Sequence, residues 1–442
     1  MNSESIVSKK DLTRLFGKIG LISFGGPAGQ IALMHEEVVD KHRWVSDEEY
    51  LQALNLCHLL PGPEAQQLAA WIGWRLHGVL GGLIAGLLFV LPGAAVMLGL
   101  SALYVLAMDV GWLQGVFFGI KAAVLAIVAQ ALIRIAGKAL NSPLKKGLAV
   151  IAFVALFVFH IPFPVLILAA AIAGAVLARS APERLALKSN REAASKSSEG
   201  WVGHVLRTVL IWGAIWAAPM LLIYATLGDS HVLWKIGAFF SQLAIVTFGG
   251  AYAVLAYMAQ EAVTGFGWLS AGEMADGLGL AETTPGPLIL VTQFVGFLAG
   301  FRAPDPFDAW TAGILAAGLT TWVTFAPCFL WIFALAPMMD RIRSIMWLQG
   351  SLAAITAAVV GVIANLSLWF AMHVLFGNVR ELDIGPQWSG AWIWWPDPAS
   401  IDWRALAIAA GAFLLLFRFR LGIIKLLGVA AAAGVVSVTL SA

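Results

Sequence analysis

The sequence predicts an all-α polytopic membrane protein with two inverted-topology repeats, broken or re-entrant helices and about 13 membrane segments. Three observations lead to this prediction. The chain of 442 residues is 60% hydrophobic and only 12% charged. Its two halves share matched motifs at long range. Basic loops of one half correspond to uncharged loops of the other.

The composition excludes an ordinary soluble protein, which carries roughly 25% charged residues. Several apolar runs, among them 78–106 and 112–133, exceed the roughly 18 residues typical of a membrane span. Such runs are helical, because only helices and closed barrels satisfy their backbone groups in lipid. The amino terminus shows no pattern of a cleaved signal peptide. Cys57 and Cys328 indicate neither a disulfide framework nor a metal set.

An internal repeat relates the two halves of the chain. The segment "FGKIGLISFGG", from Phe16, matches "FSQLAIVTFGG", from Phe240, at a spacing of 224 residues. The same spacing carries the "PGP" at 61–63 onto the "PGP" at 285–287. Farther along, a spacing of 235 residues relates Pro92 to Pro327 and one "LQG" to another. A register this long indicates a true repeat.

Each half contains six apolar segments, and one unrepeated apolar run lies between them. This pattern predicts a first repeat over 1–178, a cytoplasmic linker over 179–203, a connecting transmembrane helix over 204–230 and a second repeat over 231–442. An even number of crossings followed by one extra helix turns the second repeat upside down.

The placement of basic residues tests this inversion, because short cytoplasmic loops are enriched in Lys and Arg. In the first half the loops 107–111 and 160–164 have no Lys or Arg, whereas the amino terminus and the loop after the fourth segment have several. In the second half the equivalents of those two bare loops carry Arg341, Arg343, Arg418 and Arg420. The sequence therefore predicts a cytoplasmic amino terminus and a periplasmic carboxyl terminus.

One loop does not fit this scheme. The segment "DKHRW" at 40–44 contains Lys41 and Arg43, yet it would face outward if the first apolar segment crosses fully. Either the rule fails locally, or segments one and two of each half enter and return as hairpins. We expect full crossings, and so 13 spans, with nine spans plus four re-entrant hairpins as the alternative.

Matched helix breaks are the main functional signal. Proline and glycine interrupt apolar segments at equivalent places in both halves, and a helix that restarts in the bilayer presents free amides and a positive dipole end. A single proline kink is more typical of packing, but four matched breaks favour the binding of a small anion. The candidate binding residues at the breaks are Ser23, Phe24, Gly25, Gly26, Pro27, Pro61, Gly62, Pro63, Thr247, Phe248, Gly249, Gly250, Pro285, Gly286 and Pro287.

Two charged residues join this candidate set. Lys121 lies inside an apolar segment, where it could attract an anion, pair with Glu64 or extend its ammonium to the membrane interface. Glu64 directly follows the first "PGP", where it is either an ordinary helix cap or a proton carrier. We expect no metal at "HEE", 35–37, because no second histidine follows at zincin spacing.

With "FGGP" at 24–27, "PGP" at 61–63 and their echoes at 248–250 and 285–287, the sequence resembles the chromate ion transporter family, long-chain bidomain type. The resemblance covers nearly the whole chain. It implies a multi-pass exporter of chromate in the bacterial inner membrane, driven by the proton motive force, with sulfate as an alternative substrate. The second half departs from the motif at Ala251, where the first half has Pro27.

Three other classes of function remain open at this stage. They are a channel for sulfate or another small anion, a membrane enzyme acting on a lipid-linked phosphate, and a structural subunit. The sequence has no clustered acid, base or metal set that indicates an enzyme, and a structural subunit gives no reason for paired helix breaks. We expect no cofactor and no nucleic-acid partner. The lipid bilayer and a chromate- or sulfate-like anion are the expected partners, and a homodimer is left open.

Overall fold

The computed structural model describes residues 7–24, 26–107, 110–185, 201–246, 248, 251–339, 342, 345–385 and 391–440. As far as the connection between the halves, the helices are α1 (Lys9–Ile22), α2 (Gly26–His35), α3 (Asp47–Leu59), α4 (Glu64–Ala107), α5 (Gly111–Ala139), α6 (Pro143–Phe157), α7 (Phe163–Ser180) and α8 (Trp201–Leu227). The second half contains α9 (Val232–Val246), α10 (Ala251–Gln260), α11 (Ala271–Thr283), α12 (Val291–Arg302), α13 (Ala309–Leu335), α14 (Met346–Leu375), α15 (Trp403–Phe413) and α16 (Ile423–Thr439).

Short π-helical and 3₁₀ turns adjoin several of these helices. The π-helical turns are Glu36–Lys41, Glu261–Gly265 and Leu414–Arg418. The 3₁₀ turns are Pro182–Leu185, Leu288–Leu290, Ala336–Met338 and Pro398–Ser400.

Six helices in the described part of the chain are long and apolar enough to cross a membrane. They are Glu64–Leu106, Gly111–Ala139, Phe163–Ser180, Trp201–Leu227, Ala309–Met338 and Met346–Leu375. The predicted all-α polytopic membrane fold is thereby confirmed, while the total number of membrane segments stays a prediction. One small exception to the all-α architecture is an antiparallel hairpin of β1 (Val379–Asp383) and β2 (Trp392–Pro396).

The chain divides into two compact units, and each unit combines parts of both halves. Unit 1 comprises Met1–Ser101, Asn190–Ala251 and Thr284–Ile345, and unit 2 comprises Ala102–Ser189, Tyr252–Thr283 and Met346–Ala442. The predicted repeats run consecutively along the sequence, whereas the units exchange segments between the repeats. The repeat boundaries themselves stay a prediction.

The helix packing in unit 2 shows that the halves are inverted. At the start of α5, Gly115 lies against Gly434 near the end of α16, so these helices are antiparallel. At the start of α14, Gly350 lies against Gly174 near the end of α7 in the same way. Gly115 and Gly350 are equivalent residues of the repeat. In each pair, the fourth segment of one repeat packs against the sixth segment of the other. These two segments would run parallel if both repeats had the same orientation in the membrane.

These glycine contacts should be sensitive to added volume. A Cβ atom on Gly434 would overlap the Gly115 carbonyl and the Gly119 backbone, because only small residues let membrane helices approach so closely. We expect Gly434→Val to lower stability by about 1–3 kcal/mol or more. Gly428→Val on the same helix is the matched control, since a Cβ there meets open space. Thermal unfolding in detergent measures both, and equal midpoints would contradict the packing described.

In unit 1 the chain reverses direction at the first two breaks. Lys18 of α1 and Glu37 after α2 form an ion pair of 3.0 Å although they are 19 residues apart. One continuous helix would separate them by about 28 Å. Glu49 of α3 and Arg75 of α4 also pair at 3.0 Å, 26 residues apart, against about 39 Å for a continuous helix. Both helix pairs are therefore hairpins.

A second reversal follows inside α4. His77 and Gly78 depart from helical geometry, with φ of −139° and 61°. Gly73 before this break would overlap the Gly81 carbonyl after it if it carried a Cβ, so the two parts of α4 pack closely side by side. The part after the break supplies a full-length apolar span, whereas the part before it belongs to the hairpin with α3.

The end of α10 supports the same arrangement in the second half. In unit 2, Gln260 and Thr264 line a cavity together with His160, Trp392 and Trp394. The loop containing His160 and the loop containing the β-hairpin are both predicted on the periplasmic side. A full crossing by segment one of the second half would place Gln260 on the cytoplasmic side. If those two loops are periplasmic as predicted, the shared cavity agrees with the alternative of re-entrant hairpins, and the number of crossings stays a prediction.

Candidate anion site at the helix breaks

The break after α1 is joined to the break before α12 in unit 1. The Gly286 amide donates to the Ser23 carbonyl at 2.9 Å and to Ser23 Oγ at 3.2 Å. Gln30 of α2 donates through Nε2 to the Gly286 carbonyl and, at 3.4 Å, to the Ser23 carbonyl. The Gly286 amide, which the sequence predicts as an anion donor, is therefore already bonded within the protein.

Each PGP turn packs against the proline-kinked helix of the opposite half. A Cβ atom on Gly93 of α4 would overlap the Pro285 carbonyl. A Cβ atom on Gly62 would lie 2.8 Å from Cys328 Sγ of α13. Gly93 and Cys328 are equivalent by the same 235-residue spacing that relates the two kinks. The pseudo-symmetry of the sequence is thus reproduced in the contacts of the site.

The PGP turns require glycine at their centres. Gly62 and Gly286 have φ of 114° and 87°, a left-handed conformation that side chains disfavour. After Pro63 the chain enters α4 at Glu64, whereas after Pro287 it forms the 3₁₀ turn Leu288–Leu290. Two equivalent turns therefore lead into different kinds of helix start.

The other predicted residues fall into two groups. The helix α2 begins at Gly26, with Pro27 in its first turn, as the sequence predicts, and Phe24 before it is half-buried. Phe248, the equivalent of Phe24, is also half-buried. The remaining candidates at these two breaks lie outside the described residues: Gly25, Thr247, Gly249 and Gly250.

The first turn of α4 has backbone amides that donate no hydrogen bond to the described residues. The Gln67 amide bonds to the Pro63 carbonyl at 3.1 Å, which closes the first helical turn. The amides of Glu64, Ala65 and Gln66 precede that bond and find no acceptor among the described residues, as expected for a helix start without a capping side chain. These three amides and the positive end of the helix dipole form a potential anion site.

Two buried glutamines beside this turn were missed by the sequence analysis. Gln66 and Gln67 are both fully buried. Neither side-chain polar atom of Gln66 has a hydrogen-bond partner, and Gln67 Oε1 has none either. Buried polar atoms of this kind call for a ligand, an ion or a water. The signal in the sequence was the contrast with Leu290 and Val291, which occupy the equivalent positions of the second half.

The start of α12 is apolar by comparison. Leu288, Ile289 and Leu290 are all buried. Thr324 of α13, one turn before Cys328, has a buried hydroxyl without a partner among the described residues. The start of α12 itself thus supplies fewer polar side chains than the start of α4, while Ser23 and Gln30 supply polar groups to the second turn.

Glu64, the first residue of α4, lies beside His58 of α3. Its Oε1 is 3.6 Å from His58 Nδ1, and the side chains of Glu64 and His58 are 12% and 47% exposed. A nearly buried carboxylate next to a half-exposed imidazole can exchange a proton with solvent through the histidine. This arrangement is compatible with either reading of Glu64 in the sequence.

Lys121 belongs to unit 2 and has neighbours of its own there. Its ammonium lies 3.4 Å from the position of a Cβ on Gly272, and its charge acts on Asp276 of α11. Asp276 accepts a hydrogen bond of 3.0 Å from Tyr104 Oη. Within the described residues Lys121 thus has an acidic neighbour, and its contact with an anion stays a prediction.

A cavity of about 700 Å³ in unit 1 lies among α4, α8 and α13. Its lining is mainly apolar and aromatic, with Gln293 and Thr321 as polar members and no charged side chain. Such a lining suits an apolar molecule and does not compensate the charge of a small oxyanion. The helix breaks remain the better candidate site.

Comparisons with known proteins identify the family of the chain. The family model described as "Chromate transporter" matches residues 10–175 and again residues 234–435. The chain is 32% identical to the chromate transport protein of Pseudomonas aeruginosa over 86% of this chain and 85% of that protein. It is 29% identical to the probable chromate transport protein of Synechococcus elongatus, over 81% and 83%. No solved structure shows significant similarity.

Two copies of the family model in one chain agree with the internal repeat, the membrane helices and the inverted packing. Together the two matches cover most of the sequence. The chain therefore belongs to the chromate transporter family, as a multi-pass membrane protein with two repeats.

Proposed function

We propose that the protein is a secondary active transporter that exports chromate across the bacterial inner membrane and is coupled to the proton motive force. Its amino terminus lies in the cytoplasm and its carboxyl terminus in the periplasm. The observation that carries the proposal is the first turn of α4. Three of its amides have no acceptor among the described residues, and they lie beside two buried glutamines with unpartnered side-chain atoms. Family membership supports chromate as the anion.

The turn at 61–63 holds the anion by hydrogen bonds and by the helix dipole. Amides at a helix start point toward the ligand and carry partial positive charge, which is why such sites bind oxyanions. Gly62 keeps the turn compact, and Cys328 of the opposite half closes it from the other side. Movement of one half against the other would then expose the turn alternately to each side of the membrane.

Glu64 links anion binding to proton movement. An anion at the first turn of α4 lies next to the Glu64 carboxylate, and the repulsion between like charges favours protonation of that group. His58 provides the contact with solvent. A proton taken up by Glu64 on one side of the membrane and released on the other couples the anion to the proton gradient.

Transport against a gradient is the decisive experiment. Inverted membrane vesicles containing the protein should accumulate chromate above the external concentration when a proton gradient is imposed, and a protonophore should abolish this accumulation. Sulfate and molybdate in competition establish which oxyanion is preferred. Strictly downhill flux would identify a channel instead, and a preference for sulfate over chromate would reassign the substrate.

The variant Glu64→Gln tests the coupling. We expect it to lose accumulation driven by the proton gradient while retaining chromate binding, because glutamine keeps the shape of the side chain but cannot carry a proton. Glu64→Asp, which keeps a carboxylate, should retain part of the coupling. Accumulation by Glu64→Gln at the wild-type level would leave Glu64 as a helix cap.

A further inference from the structure

The glutamine at the first PGP turn has a fixed orientation. Gln67 Nε2 donates to the Pro61 carbonyl at 2.6 Å, and Gln67 Oε1 is buried with no partner. If Oε1 and Nε2 of Gln67 were exchanged, Oε1 would face the Pro61 carbonyl oxygen, and two acceptors would meet. The hydrogen bond therefore determines which side-chain atom is the oxygen and which is the nitrogen. The unpartnered atom is therefore an acceptor and not a donor.

The second PGP turn repeats this device with a residue from α2. Gln30 Nε2 donates to the Gly286 carbonyl and to the Ser23 carbonyl, which fixes its amide in the same way. Gln30 Oε1 is buried without a partner. Each turn thus holds the donor end of one glutamine and leaves an acceptor oxygen unsatisfied.

Four titratable groups surround the first turn among the described residues. The titratable groups that face it are Glu64 on α4 itself, His58 and Cys57 on α3, and Cys328 on α13. Among the described residues, no lysine or arginine pairs with Glu64 or bonds to either glutamine of α4. A doubly charged oxyanion would here meet unpaired acceptor oxygens and a carboxylate, opposed by the helix amides and Gln66 Nε2 but by no lysine or arginine among the described residues.

We propose that the oxyanion bound at this turn carries one proton, which it donates to Gln67 Oε1, while its other oxygens accept from the first amides of α4 and from Gln66 Nε2. This proposal rests on the proposed function and names the charge state of its substrate. A singly protonated anion satisfies both donors and acceptors, whereas the dianion satisfies the donors alone.

The proton distinguishes two ions of nearly the same shape. Chromate takes up a proton near neutral pH, whereas sulfate does so only in strong acid. A site built to bond a hydroxyl rejects the analogue without it, by factors of about 10⁴ in some enzymes. The turn would therefore select chromate over sulfate by protonation state, which geometry alone cannot achieve.

Equilibrium binding to the full-length protein in detergent tests this inference. In detergent there is no pH difference across a membrane, so the pH can be varied for the whole solution. We expect the affinity for total chromate to fall by about tenfold per pH unit once most chromate is deprotonated. Sulfate should bind at least about 100-fold more weakly near neutral pH, with no such slope. Equal affinities for chromate and sulfate, independent of pH, would overturn the inference and identify water as the partner of Gln67.

Variants separate a proton on the substrate from one on the protein. Glu64→Gln, His58→Gln and a variant with both cysteines replaced by alanine should each keep the pH slope; the last also removes thiols that chromate oxidises. Loss of the slope in any of them would place the proton on that group and overturn the inference. Gln67→Leu should flatten the slope. Gln66→Leu, which removes a side chain without a hydrogen-bond partner among the described residues, should weaken binding even if Gln67→Leu fails to fold.

The failure of this inference differs from the failure of the proposed function. Chromate binding without a pH slope, accompanied by equal sulfate binding, contradicts the charge state while transport remains. Absence of both binding and gradient-driven transport in well-folded wild-type protein contradicts the function itself.

Discussion

Gly93→Val is expected to abolish chromate transport. Any side chain at Gly93 overlaps the Pro285 carbonyl and lies 2.7 Å from the position of Leu290 Cδ1, so it pushes the second PGP turn away from α4. The displaced turn also carries Gly286, through which it is bonded to the break after α1. Overpacking of this kind costs about 1–3 kcal/mol or more, enough to displace a turn that we propose takes part in transport.

The same helix offers a matched control. A Cβ on Gly99 of α4 meets open space, so Gly99→Val should transport chromate at the wild-type rate. Gly93→Ala, which adds one methyl group, should retain a reduced rate. Transport in inverted vesicles, normalised to monodisperse protein in detergent, measures all three. Normal transport by a well-folded Gly93→Val would show that the contact between the turn and α4 is not required.

Gln66→Leu should remove most chromate binding without destabilising the protein. In the absence of ligand the wild-type side chain buries an amide with no partner, which costs about 1–3 kcal/mol. Leucine has nearly the same volume and no polar atom, and the second half already has leucine at the equivalent position, Leu290. We therefore expect the unfolding midpoint to stay the same or rise while chromate affinity falls by about tenfold or more.

Chromate affinity and thermal unfolding, measured on the same preparation, provide the check. Gln52→Leu on α3 is the control for loss of a glutamine elsewhere, because that side chain bonds to Glu48 and lies away from the PGP turn. It should leave chromate affinity unchanged. A Gln66→Leu protein with unaltered affinity would remove Gln66 from the site, and a strong loss of stability would mean that it is a structural residue.

Much of the fold follows from patterns that occur in both halves of the sequence. The repeat at a spacing of 235 residues and the exchange of basic loops predict inversion, and the contacts of Gly115 with Gly434 and of Gly174 with Gly350 confirm it. Glycine is required at these four positions, because two membrane helices can approach so closely only where side chains are small.

The hairpins at segments one and two could not be predicted from the lengths of the apolar segments. The two helices α1 and α2 contain 14 and 10 residues, and together they have the length of one membrane crossing. A sequence window therefore cannot distinguish a crossing from an entry and return. The basic loop at 40–44 was the signal for return, and the ion pair between Lys18 and Glu37 shows that α1 and α2 form a hairpin. The number of membrane crossings stays a prediction.

The two PGP turns were predicted from the sequence, whereas the buried glutamines beside the first of them were missed. The role of either turn in binding an anion stays a prediction. The PGP motifs located both turns, since proline and a left-handed glycine have few other uses in an apolar segment. The bond from Gly286 to Ser23 joins residues far apart in sequence, and no local pattern indicates it. The glutamines of α4 resembled ordinary helix residues until burial showed that their polar atoms have no partners.

The position of chromium in crystals of the full-length protein, located by anomalous scattering from bound chromate, tests the central claim most directly. The account predicts a chromium peak at the first turn of α4, with oxyanion oxygens within hydrogen-bonding distance of the amides of Glu64, Ala65 and Gln66. A chromium peak beside Lys121, with none at that turn, would contradict it.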